Sequence, residues 1–519
     1  MGELIVRLLP GECWWGGCVN KGHVMPITEE TQERFSPVGG GEGDQFAPVY
    51  LSSMGRCIVS GRPFDVTAER GVLTCSGYGD IALEEGYGNL RGAYLAASRA
   101  HFPFTGEIPK EEFFTRPQYN TWIELGAHQT QEGILRYAEQ IVSHGLPAGI
   151  LMIDGGWQED YGVFEFHRGK IPNPQQMMDR LHALGFQVML WVSPIVSSAG
   201  WQYKMLRDRG YLIRGGDGEI AIRKWWSGFS AVLDLTNPEA VAWFHSQLDS
   251  LMERYGVDGF KFDAGDASFY RDDDRIFAPA SAREQTRAFN EAGVRYRLNE
   301  FRAAWRFGGQ PIVARLHDKY PTWDSFGLNT LIPHTIVQGL LGYAYCCPDM
   351  VGGGILTSFV DGRVPDEELF VRWAQANIYM GMMQMSIAPW RVLSPENAEL
   401  VLDALNAHAA LGETMLALAR HAARTGEPIV RHMAYVFPGE GFERCDTQFM
   451  LGDRLLVAPV LEKGATVRRV QLPRGSWRAW TGEVLSGGTA VALPVTIRDV
   501  PTFERVGANP DGRRSSRSV

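Results

Sequence analysis

The chain has few cysteines for its length and no regular spacing between them. Its seven cysteines are spread over 519 residues, whereas small secreted domains use dense cysteine frameworks to stabilise a limited core. Cys13 and Cys18 could form half of a metal site, but no matching second pair follows, so we interpret them as structural. The adjacent Cys346 and Cys347 are interpreted as small apolar residues of a buried strand. This usage predicts reduced thiols in a cytoplasmic protein.

Long apolar runs and blocks of positive charge are also absent from the sequence. No segment approaches the roughly 18 apolar residues of a membrane-spanning helix. The apolar stretch 4–9 is interrupted by Arg7 and is too short for the core of a signal peptide. The net charge of −10, without a basic block, disfavours a nucleic acid or an anionic membrane as a partner. We expect neither partner, and self-association remains open.

A glycine-rich phosphate-binding turn, which would mark a doubly wound sheet, is missing as well. Instead, apolar strands alternate with helix-compatible segments from Tyr119 onward, and Thr130 and Gly145 are placed to begin and end the first helix. Seven strands are predicted at 119–124, 148–153, 187–192, 259–262, 311–316, 343–347 and 385–387. An eighth is expected in the short stretch before Trp323. This alternation predicts an α/β fold, the (β/α)8 TIM barrel.

The segments on either side of the barrel have a β-type pattern. Residues 1–115 alternate short β runs with Gly, Pro and Asp turns, which predicts an N-terminal β-sandwich. The barrel is expected over 116–414 and a small C-terminal β-domain over 415–510. The Arg- and Ser-rich end, 511–519, is predicted to be disordered.

Acidic residues follow several of the predicted barrel strands. Asp154 and Asp263 end two strands directly, and Asp349 follows a third, with Lys261 and Arg315 nearby on strands. The active site of a TIM barrel lies at the carboxyl ends of its strands, so these side chains should face one cavity. Two mechanisms use such a cluster. The three carboxylates could bind a divalent metal in a lyase or isomerase, or two could act in glycoside hydrolysis.

Several motifs resemble glycoside hydrolase family 31, from Glu12-Cys13-Trp14-Trp15-Gly16-Gly17 to the stretch Phe449–Val460. The most specific is Gly259-Phe260-Lys261-Phe262-Asp263-Ala264-Gly265-Asp266. The resemblance implies that Asp263 is the nucleophile. Lys261 shares its strand face by the two-residue period, and a nearby ammonium favours the ionised carboxylate that a nucleophile requires.

The resemblance also implies roles for residues elsewhere in the chain. It assigns the acid/base to Asp324, but a glycine that usually separates the tryptophan from this aspartate is missing after Trp323. Asp318 and Asp349 therefore remain alternatives. The acid should have a raised pKa, since it must be protonated to donate. By the same resemblance Asp154 binds sugar hydroxyls and Arg315 contacts the sugar, and Asp349 belongs to the substrate site in a supporting position.

Four tryptophans at or beyond strand ends could bind a sugar ring by stacking: Trp122, Trp157, Trp191 and Trp226. The motifs Leu331-Ile332-Pro333 and Pro348–Gly353 resemble the galactosidase-like branch of the family. The sequence Ile387-Ala388-Pro389-Trp390-Arg391 replaces the Arg-x-His of many α-glucosidases.

We therefore predict a retaining α-glycosidase that hydrolyses terminal α-galactosides in oligosaccharides or other α-glycosides and needs no metal or cofactor. An α-glucosidase, an α-xylosidase or an α-N-acetylgalactosaminidase of the same family is the first alternative. A metal-dependent lyase or isomerase and a non-catalytic carbohydrate-binding protein are alternatives of other classes.

Overall fold

The structure, a computed structural model, describes residues 2–37, 44–360, 363 and 365–507. An N-terminal β-unit, a parallel barrel and a C-terminal β-unit follow one another along the chain, which confirms the predicted fold class. The segment 511–519, predicted to be disordered, lies outside the described residues. Within the described ranges, no helix has the length and apolar character needed to cross a bilayer.

The N-terminal unit is a sandwich of two largely antiparallel sheets. Its elements are β1 (Gly2–Arg7), β2 (Trp14–Cys18), β3 (Glu33–Phe35), β4 (Gln45–Ser52), β5 (Cys57–Ser60), β6 (Phe64–Glu69), β7 (Val72–Gly77), β8 (Ile81–Glu84), α1 (Leu90–His101) and α2 (Glu112–Thr115). One sheet has the order β1-β7-β6-β3, and in the other β4 pairs with β2 and β5, and β5 with β8. Buried and less buried side chains alternate along β6 and β7, so one face of that sheet covers the core.

The central part of the chain alternates strands and helices. Its elements are β9 (Gln118–Asn120), α3 (Thr121–Leu125), α4 (Gln131–Ser143), β10 (Ile150–Ile153), β11 (Gln158–Asp160), β12 (Val163–Phe166), α5 (Pro174–Ala183), β13 (Gln187–Val192), β14 (Ile195–Val196), α6 (Gln202–Asp208), β15 (Arg223–Trp225), β16 (Gly228–Val232), α7 (Pro238–Tyr255), β17 (Gly259–Phe262), α8 (Ala282–Gly293), β18 (Asn299–Phe301), β19 (Ala304–Trp305), β20 (Val313–Arg315), α9 (Leu331–Leu340), β21 (Cys346–Cys347), α10 (Glu367–Asn377), β22 (Gln384–Met385), α11 (Pro389–Val392), α12 (Pro395–Ala410) and α13 (Gly412–Thr425). Short 3-10 helices cover Val19–Val24, Ala267–Phe269, Leu328–Thr330 and Leu356–Ser358.

Eight parallel strands form the barrel in the order β22-β9-β10-β13-β17-β18-β20-β21. A parallel bridge between Met350 and Gln384 joins the segment after β21 to β22 and brings the two ends of the ladder together. The strands are short and almost entirely buried, as expected where helices cover the outside of a parallel sheet. Thr130 accepts a hydrogen bond from Gly133 N and caps α4, as the sequence predicts.

The eighth strand is not where the sequence analysis expects it. The missing strand is β18, Asn299–Phe301, and the stretch before Trp323 is a loop. Asn299 and Glu300 are fully buried in β18, where Asn299 donates to the backbone of Tyr296 and Pro311. A strand that contains two polar residues in three has no apolar run, so periodicity does not reveal it. Beyond it, β19 pairs in parallel with β4 and joins the barrel to the N-terminal sandwich.

The C-terminal unit contains β23 (Val430–Arg431), α14 (Met433–Val436), β24 (Phe449–Leu451), β25 (Leu455–Val457), β26 (Val467–Leu472), β27 (Ser476–Ala479), β28 (Val484–Ser486), β29 (Thr489–Pro494) and β30 (Thr502–Val506). One sheet has the order β23-β24-β25-β30-β27-β28, and β26 pairs with β29 in a second. The expected boundary at 414/415 falls inside α13, so the helical region continues to Thr425.

Candidate active site

Asp263 follows β17 directly, and both oxygens of its carboxylate accept hydrogen bonds. Trp191 Nε1, from β13, donates to Oδ2 at 2.9 Å. Arg302 Nε, from the residue after β18, donates to Oδ1 at 2.8 Å. The other arm of the Arg302 guanidinium forms an ion pair with Asp266. Three neighbouring barrel strands therefore hold this carboxylate in one orientation.

Lys261 and Asp154 form a second pair beside Asp263. Lys261 Nζ donates to Asp154 Oδ2 at 2.6 Å, and both side chains are nearly inaccessible to solvent. Asp154 Oδ1 accepts from Gly155 N at 2.8 Å. Lys261 lies on the same face of β17 as Asp263, because side chains two residues apart in a strand point the same way.

The charges around Asp263 keep its carboxyl group ionised. Burial alone would raise its pKa, but the cations Arg302, Lys261 and Arg315 and the hydrogen bond from Trp191 hold the pKa well below its usual range. A carboxylate that stays anionic inside a cavity is chemically suited to act as a nucleophile.

These groups line a cavity of about 590 Å³ at the carboxyl ends of the barrel strands. The volume is in the range of small-ligand sites, roughly 300 to 1,000 Å³. Its lining comprises Trp122, Ala127, Asp154, Gly155, Gly156, Tyr161, Lys170, Trp191, Trp226, Ser227, Lys261, Asp263, Arg302, Asp318, Gly354, Ile355, Leu356 and Thr357. Three carboxylates, Asp154, Asp263 and Asp318, thus share one cavity, and Asp154 is the one that forms an ion pair with Lys261.

Asp324, the expected acid/base, lies outside this lining. Its side chain is exposed, and its carboxylate accepts hydrogen bonds from Thr322 Oγ1 at 2.7 Å and from Phe326 N at 2.9 Å. The Thr322 hydroxyl, followed by the Phe326 amide, lowers the pKa of Asp324, whereas a proton donor requires a raised one. The side chain stabilises its own loop. Asp318, the alternative, reaches the cavity, and its carboxylate accepts from Arg315 Nη1 at 2.7 Å.

Arg315 and Asp349 lie behind the cavity wall. Arg315 is 1% exposed, and it donates to Asp349 at 2.9 Å and forms an ion pair with Glu300 at 3.3 Å. Asp349 is fully buried and also accepts from Lys319 N at 2.9 Å. Burial raises the pKa of Asp349 to about 6, despite the opposing effect of Arg315. Neither residue lines the cavity, and both contact the segment that contains Asp318, Arg315 through the Asp318 carboxylate and Asp349 through Lys319 N.

The tryptophans divide into two groups. Trp122, Trp191 and Trp226 line the cavity. Trp122 lies on α3 because β9 ends at Asn120, whose side chain caps that helix. Trp157 is fully buried and donates through Nε1 to Trp191 O at 2.8 Å. It therefore stabilises the barrel rather than facing a ligand, which corrects the expectation for this residue.

The geometry also bears on the metal-dependent alternative. Asp154 is paired with Lys261, and Asp349 is bound by Arg315 away from the cavity, so the three proposed ligands do not converge. Among the residues that the structure describes, no cluster of three or more His, Cys, Asp or Glu side chains is arranged to hold a metal ion. Cys13 and Cys18 are both buried.

The sequence analysis missed Arg302 and Asp266. Arg302 follows the unrecognised strand β18, so the rule that selects polar residues at strand ends had no strand to apply to. In the sequence, Arg302 is only a charged residue 39 positions after Asp263. Spacing alone does not identify such a residue as part of a site. Tyr161, from the turn between β11 and β12, was missed because that hairpin is an insertion between a barrel strand and its helix.

Fold and site together define a (β/α)8 barrel with a carboxylate-lined cavity at the end of the barrel where such proteins bind their ligands. Residues 117–304 match the glycosyl hydrolases family 31 TIM-barrel domain, and residues 426–508 match the glycosyl hydrolase family 31 C-terminal domain. The chain belongs to glycoside hydrolase family 31.

Relatives of known name match most of the chain. The myogenesis-regulating glycosidase of Mus musculus is 37% identical over 417 residues, which cover 78% of this chain and 57% of that protein. The 1,3-alpha-isomaltosidase of Kribbella flavida is 25% identical over 464 residues, which cover 78% of this chain and 62% of that protein. The chain thus spans little more than half the length of these relatives.

Solved structures share the fold over nearly the whole chain. A GH31 alpha-xylosidase from a soil metagenome, complexed with xylose, superposes with a TM-score of 0.84 at 19% identity, covering 98% of this chain and 79% of that one. The cycloalternan-degrading enzyme from Trueperella pyogenes, in complex with a covalent intermediate, has the same TM-score at 21% identity. The match covers 98% of this chain and 78% of that one. At these identities the likeness concerns the fold.

Proposed function

We propose that the protein is a retaining α-glycosidase in which Asp263 is the nucleophile and Asp318 the acid/base. The observation that carries this proposal is the pair of carboxylates in one cavity, one of which is held anionic by Arg302 and Trp191. Membership of family 31 supports the same chemistry. Asp318 replaces Asp324 in the proposal because only Asp318 reaches the cavity.

The reaction follows the double-displacement scheme. Asp263 attacks the anomeric carbon while Asp318 donates a proton to the departing oxygen, and water then hydrolyses the covalent glycosyl-enzyme with Asp318 as base. Formation of the ester removes the negative charge of Asp263. The loss of that charge favours ionised Asp318, which is the form needed for the second step.

The sugar that reacts would be bound by the inner part of the cavity. Asp154 and Lys261 supply an acceptor and a donor for hydroxyl groups, and the indole of Trp122 offers an apolar surface for the ring. Lys261 remains charged, because Asp154 and Asp263 outweigh the effect of burial and raise its pKa.

Terminal α-galactosides are the proposed substrates. The segment after β22 supports this choice, since Arg391 donates to both oxygens of Glu124 and Trp390 stacks on His144, so neither reaches the cavity. An α-glucosidase with Arg-x-His at this place would have a charged contact there that this chain lacks. Named relatives include an α-xylosidase and α-glucosidases, so these activities are the alternatives.

A panel of p-nitrophenyl α-glycosides of galactose, glucose, xylose and N-acetylgalactosamine tests the function. We expect the highest kcat/KM for the galactoside and α-galactose as the first product in NMR spectra of the reaction. Asp263→Ala should abolish turnover. If wild type and Asp263→Ala hydrolyse the panel equally, the mechanism is wrong.

The acid/base assignment needs its own comparison. Asp318→Ala should slow hydrolysis of methyl α-glycosides far more than that of 2,4-dinitrophenyl α-glycosides, because only the former require a proton donor. Added azide should restore turnover of the activated substrate and give an α-glycosyl azide. Asp324→Ala is the matched control and should behave as wild type. If Asp324→Ala shows the selective loss and the azide rescue while Asp318→Ala behaves as wild type, the acid/base is Asp324.

A further inference from the structure

A cluster of four basic side chains and one carboxylate adjoins the segment that contains Asp318, and none of its members lines the cavity. We call it the His–Lys cluster, and it consists of Asp44, His317, Lys319, His334 and His23. Lys319 Nζ is 2.9 Å from His334 Nδ1 and 3.4 Å from His317 Nε2. His317 Nδ1 is hydrogen bonded to Asp44, and His334 Nε2 is 3.0 Å from His23 Nδ1. The proposed reaction uses none of these groups.

The partners determine the direction of each hydrogen bond. Asp44 can only accept, so His317 donates through Nδ1 and its Nε2 is free to accept from Lys319. Burial, followed by the charge of Lys319, holds the pKa of His334 far below its usual value, so this ring is neutral. It therefore accepts from Lys319 at Nδ1 and donates from Nε2 to His23. Two series of hydrogen bonds therefore begin at the Lys319 ammonium group. One passes through His317 to Asp44, and the other passes through His334 to His23.

Among the described residues, no carboxylate lies within ion-pairing distance of the buried Lys319 ammonium group. The residue is 1% exposed, and its amine lies within hydrogen-bond distance of two imidazole nitrogens. Burial lowers the pKa of Lys319 to about 8, even though Asp44, Asp349 and Asp318 favour the charged form, and Arg315 opposes it. A buried ammonium group whose hydrogen-bond partners are imidazole nitrogens has a high desolvation cost.

The backbone of Lys319 is tied to the cavity wall as well. Lys319 N donates to Asp349, and Lys319 O accepts from Gly354 N at 3.0 Å and from Ile355 N at 3.3 Å. Gly354 and Ile355 line the cavity. His317 and Lys319 flank Asp318 in the chain, and Asp318 lines the cavity whereas neither of these neighbours does.

We propose that Lys319 is a positioning residue for Asp318, and that the N-terminal unit takes part in catalysis through the His–Lys cluster. The proposal rests on the proposed function. Asp44 and His23 belong to the N-terminal unit, whereas His317, Lys319 and His334 belong to the barrel. The cluster therefore anchors the proton donor from behind, and removal of its cation displaces the donor without altering Asp263.

The variant Lys319→Met tests this, because methionine keeps an unbranched side chain but has no charge and no N–H donor. Two substrates are compared, a methyl α-glycoside that needs protonation and a 2,4-dinitrophenyl α-glycoside that does not. Since a general acid contributes about 10² to 10⁴ in rate and a misplacement of about 1 Å can cost about 100-fold, we expect kcat/KM for the methyl glycoside to fall roughly 10- to 100-fold. The dinitrophenyl glycoside should change by less than about threefold, because its departure requires no acid. Lys204→Met, at an exposed helical position, is the control and should change neither value.

A second pair of variants covers the case in which Lys319→Met does not fold. His334→Leu removes the acceptor of Lys319 and should reproduce the selective loss. His334→Asn retains an oxygen near the place of Nδ1 and should restore most of the activity on the methyl glycoside. Equal losses on both substrates in Lys319→Met and His334→Leu, or no loss on either, would overturn the positioning role. A wild-type protein that hydrolyses neither substrate would instead contradict the proposed function itself.

Discussion

At the scale of single residues, Arg302 contacts more groups of the site than the other described side chains that the sequence analysis missed. Its guanidinium donates to Asp263, forms an ion pair with Asp266, and lies 4.9 Å from the ring centre of Trp226. Although burial opposes it, the charges of Asp266 and Asp263 hold the pKa of Arg302 above its usual value. Arg302 thus fixes the orientation of the proposed nucleophile and keeps it ionised.

Arg302→Met is expected to lower kcat/KM by at least about 100-fold on every substrate, whatever its leaving group, because the nucleophile loses its orientation. Arg302→Lys should not restore activity, since an ammonium cannot bridge two carboxylates in the geometry of a guanidinium. Steady-state kinetics on the aryl glycoside panel measures both. Arg180→Met, on the exposed face of α5, is the control and should retain wild-type values. Full activity in Arg302→Met would show that Arg302 does not orient the nucleophile.

The ionised state of Asp263 predicts a pH dependence of stability. Its pKa is depressed in the folded state, so the folded protein binds this proton less readily than the unfolded chain does. The stabilisation is therefore complete above the ordinary aspartate pKa of 3.8 and is lost as the pH falls below it. Urea unfolding at pH 7 should show Asp263→Asn to be less stable than wild type. The difference in free energy of unfolding between the two proteins should decrease towards pH 3. A difference that stays constant with pH would mean that the folded protein does not stabilise the charge of Asp263.

At the scale of elements, the hairpin formed by β15 and β16 builds one wall of the cavity. Its turn contains Trp226 and Ser227, and the hydroxyl of Ser227 is 3.1 Å from that of Tyr161. Trp225 packs edge-on against Tyr161, which in turn contacts Trp191 beside the nucleophile. Trp226 is half exposed at the mouth, where it can stack on the group that leaves.

Trp226→Ala should raise KM for substrates with a sugar or aryl leaving group by roughly 3- to 10-fold, equivalent to about 1 kcal/mol of ring stacking. KM for a methyl glycoside should change little, because a methyl group does not reach the mouth. Trp201→Ala is a matched control, since Trp201 is also exposed but does not line the cavity. A similar rise in KM for all substrates would mean that Trp226 contacts the sugar in the inner part of the cavity rather than the leaving group.

At the scale of the whole molecule, partly buried polar contacts join the C-terminal unit to the barrel. Arg372, on α10, is 1% exposed and donates to Thr496 O at 2.9 Å and to Asp499 O at 3.1 Å. Gln375, one turn later, donates to Ile497 O at 2.6 Å. These contacts bind one loop of the C-terminal unit to a barrel helix.

Arg372→Met should reduce the free energy of unfolding by about 2 to 4 kcal/mol, because it removes two partly buried hydrogen bonds from a charged donor. Urea unfolding followed by tryptophan fluorescence measures the change. Arg420→Met, which removes a half-exposed ion pair with Glu111, should cost no more than about 0.5 kcal/mol. Equal costs for the two variants would show that the Arg372 contacts do not stabilise the fold.

Much of the architecture follows from the sequence because burial on both sides of a parallel sheet requires apolar strands. Seven barrel strands, the cap at Thr130 and the β-rich ends could be predicted on that basis. The placement of Asp263, Lys261 and Asp154 in one cavity also follows, since carboxyl ends of parallel strands meet at one face. The strand β18 could not be predicted, because its polar residues are bonded inside the fold, Asn299 to the backbone of Tyr296 and Pro311 and Glu300 to the side chain of Gln384.

The sequence by itself determined the barrel, its family and the strand that contains the nucleophile, because these depend on local pattern and on contiguous motifs. Only the tertiary structure shows that Asp318 lines the cavity whereas Asp324, six residues later, does not, and that Arg302 lines it whereas Arg315 lies behind the wall. Each difference depends on the direction in which the backbone turns the side chain. That direction is set by contacts from distant parts of the chain, including Asp44 and Asp349, and no local pattern encodes them.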